Sequence, residues 1–236
     1  MINFKRFLSE ALFPPDFTCD ICGIETFGSN LCQNCLKTVK FNDGQTCPVC
    51  GRKTLLPEIC LECKARKPLF KRAVSPLIYD GGAQVLIAKF KNGDGYLKDY
   101  FVNLLAEKIK DLPKSDCIVF VPMTKRAIRK RSYNQTELLA KGLADKLNLP
   151  VIKDAVIKQK ETEAQKSLSR KEREKNLEGC FKVENKAEIK GKKLLLVDDV
   201  LTTGATADAL CKTLLSAGAE CVFFATVASV EYKGKN

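Results

Sequence analysis

The clearest pattern of apolar and polar positions begins at residue 194. Leu194 to Val197 is a short continuous apolar run, which is typical of an interior parallel strand covered on both faces. From Gly204 onward, apolar residues recur with the spacing of one helix face, and Gly218 is a natural stop for that helix. These apolar positions are Ala207, Leu210, Leu214 and Leu215. The stretch therefore predicts a strand, a loop and a helix.

Two further stretches predict units of the same kind. CIVFVP at residues 117–122 predicts a second strand, and the apolar positions that follow it again share one helix face. They are Leu138, Leu139, Leu143 and Leu147. Earlier in the chain, residues 73–80 predict a strand and residues 81–110 predict two helices. Strands that alternate with helices in this way indicate an α/β domain, in which helices cover both faces of a parallel sheet.

Two adjacent carboxylates, Asp198 and Asp199, close the apolar run that ends at Val197. In an open α/β sheet, ligands bind where a loop leaves the carboxyl end of a strand to start a helix. The loop here is rich in hydroxyls and small residues, so its backbone N–H groups can converge on an anion at the positive end of the helix. Its residues are Thr202, Thr203, Gly204, Ala205 and Thr206.

This arrangement predicts a site for a ribose 5-phosphate. Ionised carboxylates accept hydrogen bonds, a sugar diol offers two donors, and Mg²⁺ would screen the like charges. The loop is not a P-loop, because no Gly-Lys-Ser/Thr follows it. The plainer alternative is a helix N-cap with two solvated acids.

Four CxxC pairs lie within residues 19–63, in two units of the form C-x2-C-x9-C-x2-C that repeat every 28 residues. Disulfides are one interpretation, but paired CxxC knuckles are what a tetrahedral zinc ion requires. Zinc would also replace the core that so small a segment cannot build. The predicted ligands are Cys19, Cys22, Cys32, Cys35, Cys47, Cys50, Cys60 and Cys63. The spacing allows sequential sites, or interleaved sites that join the first pair to the third and the second to the fourth.

Composition limits the chemistry and the location. The 236 residues carry 40 Lys and Arg against 28 Asp and Glu, and the net charge of +12 favours polyanions such as nucleic acid. Histidine is absent, which excludes a histidine base, triad or metal ligand in this chain. No segment approaches the roughly 18 uninterrupted apolar residues of a membrane helix, and the first residues form no secretory signal. We therefore expect a cytoplasmic protein without a membrane span.

Two polar segments are candidates for ligand contact. The first is a predicted loop after the second strand, which carries five cations and no acid between Cys117 and Thr136. Such a run is often a solvated face, but the carboxyl end of a strand favours an anion site. The cations are Lys125, Arg126, Arg129, Lys130 and Arg131, of which the last three are our candidates for nucleic-acid contact. The second segment, residues 159–181, is either a solvated loop and helix or a lid. Its lid candidates are Thr162, Gln165, Arg170 and Arg173.

Residues 194–206, LLLVDDVLTTGAT, resemble the 5-phosphoribosyl-1-pyrophosphate (PRPP) signature of type I phosphoribosyltransferases. The resemblance implies that Asp198 and Asp199 hold the ribose hydroxyls and that residues 202–206 hold the 5-phosphate. It also implies that the loop after the second strand receives pyrophosphate. The contacts there would come from Met123, Thr124, Lys125 and Arg126.

A wider pattern extends the resemblance to essentially the whole chain. The chain is similar to the ComF family of DNA-uptake (competence) proteins in the order of its motifs. Four CxxC pairs come first, followed by the pattern VP…K…R…YNQ…LA and then by T…Q…L…R…N. Ser132 stands where that family usually has glycine before the aromatic-Asn-Gln triplet, which predicts a slightly less flexible loop. The resemblance implies a zinc-binding module at residues 1–66 and a type I phosphoribosyltransferase-like domain at residues 67–236.

Three functions fit this architecture. The favoured one is a protein of DNA uptake that binds single-stranded DNA and holds PRPP or a related phosphoribosyl ligand, with other competence proteins such as a helicase as partners. No row of aromatic stacking platforms is evident, so DNA binding would rest on charge. The second is an active phosphoribosyltransferase that transfers ribose 5-phosphate from PRPP to a nucleophile, although the sequence shows no recognisable acceptor pocket. The third is a non-catalytic regulator that senses PRPP.

Overall fold

A five-stranded parallel sheet forms the centre of the computed structural model, which describes residues 18–26, 29–160 and 176–231. The strands in chain order are β1 (Arg72–Val74), β2 (Leu77–Ile78), β3 (Cys117–Phe120), β4 (Val156–Lys158), β5 (Phe181–Val183), β6 (Lys193–Leu201) and β7 (Cys221–Ser229). The order across the sheet is β1-β7-β6-β3, and β2 also pairs with β7. Strands β4 and β5 form a separate antiparallel pair. The predicted α/β fold with a parallel sheet is confirmed.

Helices lie on both faces of this sheet. The α-helices of the described residues are α1 (Gln33–Leu36), α2 (Leu61–Arg66), α3 (Gly81–Lys91), α4 (Lys98–Ile109), α5 (Lys125–Arg131), α6 (Gln135–Leu147) and α7 (Ala205–Ser216), of which α3, α4, α6 and α7 pack on the sheet. Side-chain caps fix several starts: the carboxylate of Asp80 accepts from the first N–H of α3, and the amide oxygen of Asn134 accepts from the N–H of Thr136 in α6. Gly218, at φ 99°, ends α7 as the sequence predicts.

Successive strand residues face opposite sides and so build two cores. In β6, Leu195 and Val197 pack with α3, α4 and α6, whereas Leu194 and Leu196 pack on the side of α7. The second core also contains Cys47, Cys50, Cys60 and Cys63. The second cysteine unit is therefore continuous with the core of the sheet.

Three local predictions differ from the structure. The strand expected at residues 73–80 is split into β1 and β2 around Pro76, which has no N–H to donate to a neighbouring strand. The segment expected as a basic loop forms helix α5, because the hydroxyl of Thr124 caps it by accepting from the N–H of Ala127 at 3.2 Å. The helix ends at Ser132, whose φ of 69° lies in the left-handed region that favours glycine. That conformation explains why glycine suits this position.

The third difference concerns the two aspartates. Strand β6 was expected to stop at Val197, but it continues to Leu201 because β7 pairs with it that far. On the other side, β3 ends with Phe120 opposite Val197. Asp198 and Asp199 therefore lie within a strand, at the point where β6 extends past β3.

None of the helices in the described ranges has the length and apolar character that a membrane span requires.

Candidate functional site

Asp199 is a buried carboxylate with a protein partner on each oxygen. Its Oδ1 lies 2.9 Å from Nζ of Lys91, at the end of α3, and its Oδ2 accepts a hydrogen bond from Nε2 of Gln135 at 2.7 Å. The residue is only 6% exposed. Because a carboxylate has about four acceptor positions, these contacts fix its orientation and leave room for a ligand.

Asp198 faces the other side of the strand and has different surroundings. It lines a small cavity together with residues 200–207, and its Oδ1 accepts from the N–H of Asp199 at 2.8 Å. Burial, and then the charge of Asp199, raise the pKa of Asp198 to about 8. A cation or a hydrogen-bond donor placed in this cavity would favour the ionised form of Asp198.

The segment from Tyr133 to Thr136 holds the site together. The hydroxyl of Tyr133 donates to the carbonyl of Phe90, one residue before Lys91. Nδ2 of Asn134 and Oγ1 of Thr136 both donate to the carbonyl of Val121, at 3.1 and 2.6 Å. These bonds fix the end of β3 relative to α6, so Gln135 is aimed at Asp199.

Sequence reasoning gave no role to Lys91 or Gln135. Lys91 is one of 40 basic residues and nothing local distinguishes it. Gln135 belongs to the aromatic-Asn-Gln triplet, which carried the family resemblance, so a signal was present there.

The residues predicted to bind a phosphate, residues 202–206, lie in the loop between β6 and α7 and in the first turn of α7. Gly204 adopts φ 79°, a conformation that glycine tolerates, and α7 begins at the next residue. Residues 202–206 all line the small cavity that Asp198 shares. The positive end of the twelve-residue helix α7 therefore borders the same cavity. A larger cavity of about 980 Å³ shares Ala205 with the small one, but neither Asp198 nor Asp199 lines it.

The basic helix α5 presents most of its cations to solvent. Lys125, Arg126, Arg129 and Lys130 are exposed. Arg131 differs, because its Nη1 donates to Oε1 of Gln135 at 3.4 Å. Met123 and Thr124 are partly buried in the turn before the helix. The lid candidates Thr162, Gln165, Arg170 and Arg173 lie outside the described residues.

Two cysteine quartets follow the sequential partition. One is Cys19, Cys22, Cys32 and Cys35, and the other is Cys47, Cys50, Cys60 and Cys63. In each quartet all sulfur atoms lie within 4.8 Å of one another. The Cys22–Cys32 and Cys50–Cys60 sulfurs are 3.8 Å apart, and a tetrahedral ion with zinc–sulfur bonds of about 2.3 Å requires about 3.8 Å. The donor sets therefore fit zinc.

In each quartet one thiol has a lowered pKa. Burial opposes ionisation of Cys19, but backbone hydrogen bonds from Cys22 and Cys32 outweigh it and lower its pKa to about 6. Hydrogen bonds from the thiols of Cys50 and Cys63 lower the pKa of Cys47. Burial raises the pKa of Cys35, and hydrogen bonds to the Cys47 sulfur raise the pKa of Cys50 and Cys63. Since the thiolate is the form that binds metal, Cys19 and Cys47 are the thiols best prepared to bind a cation.

Two sequence families match two parts of the chain. The double zinc ribbon domain matches residues 8–64, and the phosphoribosyl transferase domain matches residues 134–236. Together with the parallel sheet and the two cysteine quartets, these matches define a phosphoribosyltransferase-fold protein with an N-terminal double zinc ribbon that holds structural zinc.

Similar proteins narrow the class to one family. Competence protein F of Haemophilus influenzae is 30% identical over 166 residues, which cover 67% of this chain and 72% of that protein. Competence protein ComFC of Streptococcus pneumoniae is 30% identical over 202 residues, with 84% and 80% covered. The chain belongs to the ComF family of competence proteins. It is also 34% identical over 119 residues to the DNA utilization protein YhgH of Escherichia coli K12, which covers 50% of this chain and 52% of that protein.

Solved phosphoribosyltransferases resemble the chain at lower identity. Adenine phosphoribosyltransferase from Thermoanaerobacter pseudethanolicus is 20% identical, with 58% of this chain and 82% of that chain covered and a TM-score of 0.36. The adenine phosphoribosyl transferase from Trypanosoma brucei is 16% identical, with 86% and 68% covered and a TM-score of 0.40.

Proposed function

We propose that this protein handles single-stranded DNA in DNA uptake and that its pocket binds PRPP or a related phosphoribosyl ligand. The observation that carries the proposal is the link between a basic helix and the aspartate site. Arg131 of α5 contacts Gln135, and Gln135 holds Asp199. The names of the relatives point the same way, since two are competence proteins and one is a DNA utilization protein.

The ligand would lie at the edge of β6 that extends past β3. A ribose in that position would be flanked by Asp198 from one face of the sheet and Asp199 from the other, so both could accept from its hydroxyls. Its 5-phosphate would meet the amides of residues 202–206, and pyrophosphate would meet residues 123–126. Asp198 would hold magnesium, which would screen the negative charges of the carboxylates and of the ligand.

DNA would be held chiefly by charge. The exposed cations of α5 lie near the carboxyl end of the sheet and add to a net charge of +12. Such a surface favours any single strand through release of counterions, with little sequence preference. The same proposal includes a cytoplasmic location and a division into domains at residues 1–66 and 67–236. It also includes other competence proteins, such as a helicase, as partners.

The test is the affinity for a fluorescent single-stranded oligonucleotide as a function of salt. Replacing Arg129 and Lys130 with Ala should weaken binding and reduce the salt slope by about 0.7 for each lost phosphate contact. Arg131 is left intact, because its loss would also disturb Gln135. The matched control replaces Lys114 and Lys190, which are exposed and precede the amino ends of β3 and β6. If replacing Lys114 and Lys190 weakens oligonucleotide binding as much as replacing Arg129 and Lys130 does, DNA binding on α5 is contradicted.

An active transferase is the second candidate, and one observation favours it. The β3–α5 turn follows the strand that pairs with β6, and the β6–α7 loop follows the aspartates themselves, an order that suits a clamp on both phosphate ends of PRPP. A screen for pyrophosphate release with bases, amines and oligonucleotides as acceptors separates the functions. Release with one defined acceptor would identify a transferase. PRPP binding with neither release nor DNA affinity would identify a PRPP-sensing regulator.

A further inference from the structure

Two arginines of the cysteine-rich segment are buried against the loop between β6 and α7. Arg52 is 3% exposed, and its Nη2 donates to the carbonyl of Thr202. The side chain of Arg66 is 7% exposed, and its Nη1 donates to the carbonyl of Thr203. Arginine is seldom buried unless it is paired. These two side chains therefore have a defined task at the loop.

The geometry of the peptide bond says what that task is. In a trans peptide the C=O and the next N–H point in opposite directions, and the described residues contain no cis peptide bond. Arginines that hold the carbonyls of Thr202 and Thr203 on one side thereby turn the N–H groups of Thr203 and Gly204 to the other. We propose that Arg52 and Arg66 are positioning residues that preorganise these two amides for the 5-phosphate. The inference rests on the proposed phosphoribosyl site.

Both guanidinium groups are locked by further contacts. Nη1 of Arg52 pairs with Oε2 of Glu62. The backbone carbonyl of Arg52 accepts a hydrogen bond from the N–H of Cys47 at 2.9 Å. Nη1 of Arg66 lies 3.4 Å from Oδ2 of Asp208, in the first turn of α7, and its guanidinium lies 5.7 Å from the ring centre of Phe70. The arginines therefore join the second cysteine quartet to the start of α7.

The loop itself is built to admit Arg66. A Cβ at position 204 would overlap the guanidinium of Arg66. Glycine at position 204 therefore leaves space for the guanidinium of Arg66 in addition to suiting a φ of 79°.

The internal repeat separates this role from metal binding. The first cysteine unit has Ile24 and Thr38 where the second has Arg52 and Arg66, counting back one 28-residue repeat. The first quartet is complete without the arginines. Its Thr38 carbonyl instead accepts from the N–H of Gly82, at the start of α3, at 3.0 Å. The arginines are consequently a feature of the unit that contacts the loop, and a zinc knuckle does not need them.

The experiment compares two simple ligands that report on different parts of the pocket. Arg52→Met and Arg66→Met are titrated by calorimetry with ribose 5-phosphate and, separately, with pyrophosphate and Mg²⁺. Each variant should lose about tenfold or more in affinity for ribose 5-phosphate, as expected for disordered donors to a charged group, and keep its affinity for pyrophosphate. Lys64→Met is the matched control, because Lys64 is an exposed cation on the same helix as Arg66. It should bind both ligands as the unmodified protein does.

Each result decides between separate claims. Arginine variants that bind ribose 5-phosphate normally, or that lose both ligands equally, would overturn the positioning role and leave the proposed site standing. Unmodified protein that binds neither PRPP nor ribose 5-phosphate would overturn the proposed site itself. Should a Met variant fail to fold, Arg→Gln at the same position takes its place. Gln keeps a polar head but is too short to hold the loop, so the same selective loss is expected.

Discussion

Asp198 and Asp199 are adjacent in the sequence but differ in what holds them. Asp199 is fixed by Lys91 and Gln135, whereas Asp198 lies in the small cavity of the loop. Burial and the neighbouring charge raise the pKa of Asp198. The sequence predicts the pair as acceptors, but it cannot show this difference, because the partners of Asp199 lie 64 and 108 positions away and only the fold brings them near.

The raised pKa has a consequence for stability. The folded protein binds the Asp198 proton more tightly than the unfolded chain does, so this group's stabilising contribution is present below its ordinary pKa of 3.8 and is lost as the pH rises through about 8. Asp198→Asn removes the titration. We expect the urea midpoint of the unmodified protein to fall relative to that of the variant as the pH rises from about 5 to 8.5. A difference that stays constant over this range would contradict the raised pKa.

Buried arginines show the limit of reading charge from a sequence. Arg52 and Arg66 lie just after the third and the fourth CxxC pair, and the side chains of both are buried. Phe70, four residues after Arg66, is 2% exposed, and its ring stacks on that of Phe224 with the ring centres 5.6 Å apart. A local pattern of charges cannot reveal a partner such as Thr202, which lies 150 residues away.

Among the elements, those with regular apolar spacing were predictable. Helices α6 and α7 and strand β3 lie where the sequence places them, because their apolar residues face a core. Helix α5 was missed because it buries none of its residues and so has no apolar stripe. The true end of β6 was missed because it depends on the length of β7, a neighbour in space.

The two cysteine units make a prediction about metal. Protein purified without added metal should contain two zinc ions per chain by elemental analysis, since each quartet fits one. Replacing Cys47 and Cys63 with Ser should remove one zinc and weaken ribose 5-phosphate binding, because Arg52 and Arg66 would lose their support. Replacing Cys19 and Cys22 with Ser is the matched control. It should remove the other zinc and leave ribose 5-phosphate binding unchanged. A metal-free folded protein, or equal losses from both changes, would contradict this assignment.

In the whole molecule, three regions distant in sequence meet at one edge of the sheet. The β3–α5 turn, the aspartates of β6 with the loop that follows, and the second cysteine unit all contribute to it. The family resemblance predicted the first two as parts of one site. The contact of the third could not be predicted, because the repeat indicates a metal module but not where it docks.

Calorimetric titration with PRPP and Mg²⁺ tests the central claim most directly. Changing Asp198 and Asp199 together to Asn keeps their shape but removes both charges. Asp111 and Asp145, which are exposed, receive the same change as the matched control. We predict that the unmodified protein and the control bind PRPP. The Asp198/Asp199 double variant, folded and with its zinc retained, should bind about a hundredfold more weakly, as expected for the loss of charged acceptors. PRPP binding that is absent from the unmodified protein, or unchanged in that variant, would contradict the account.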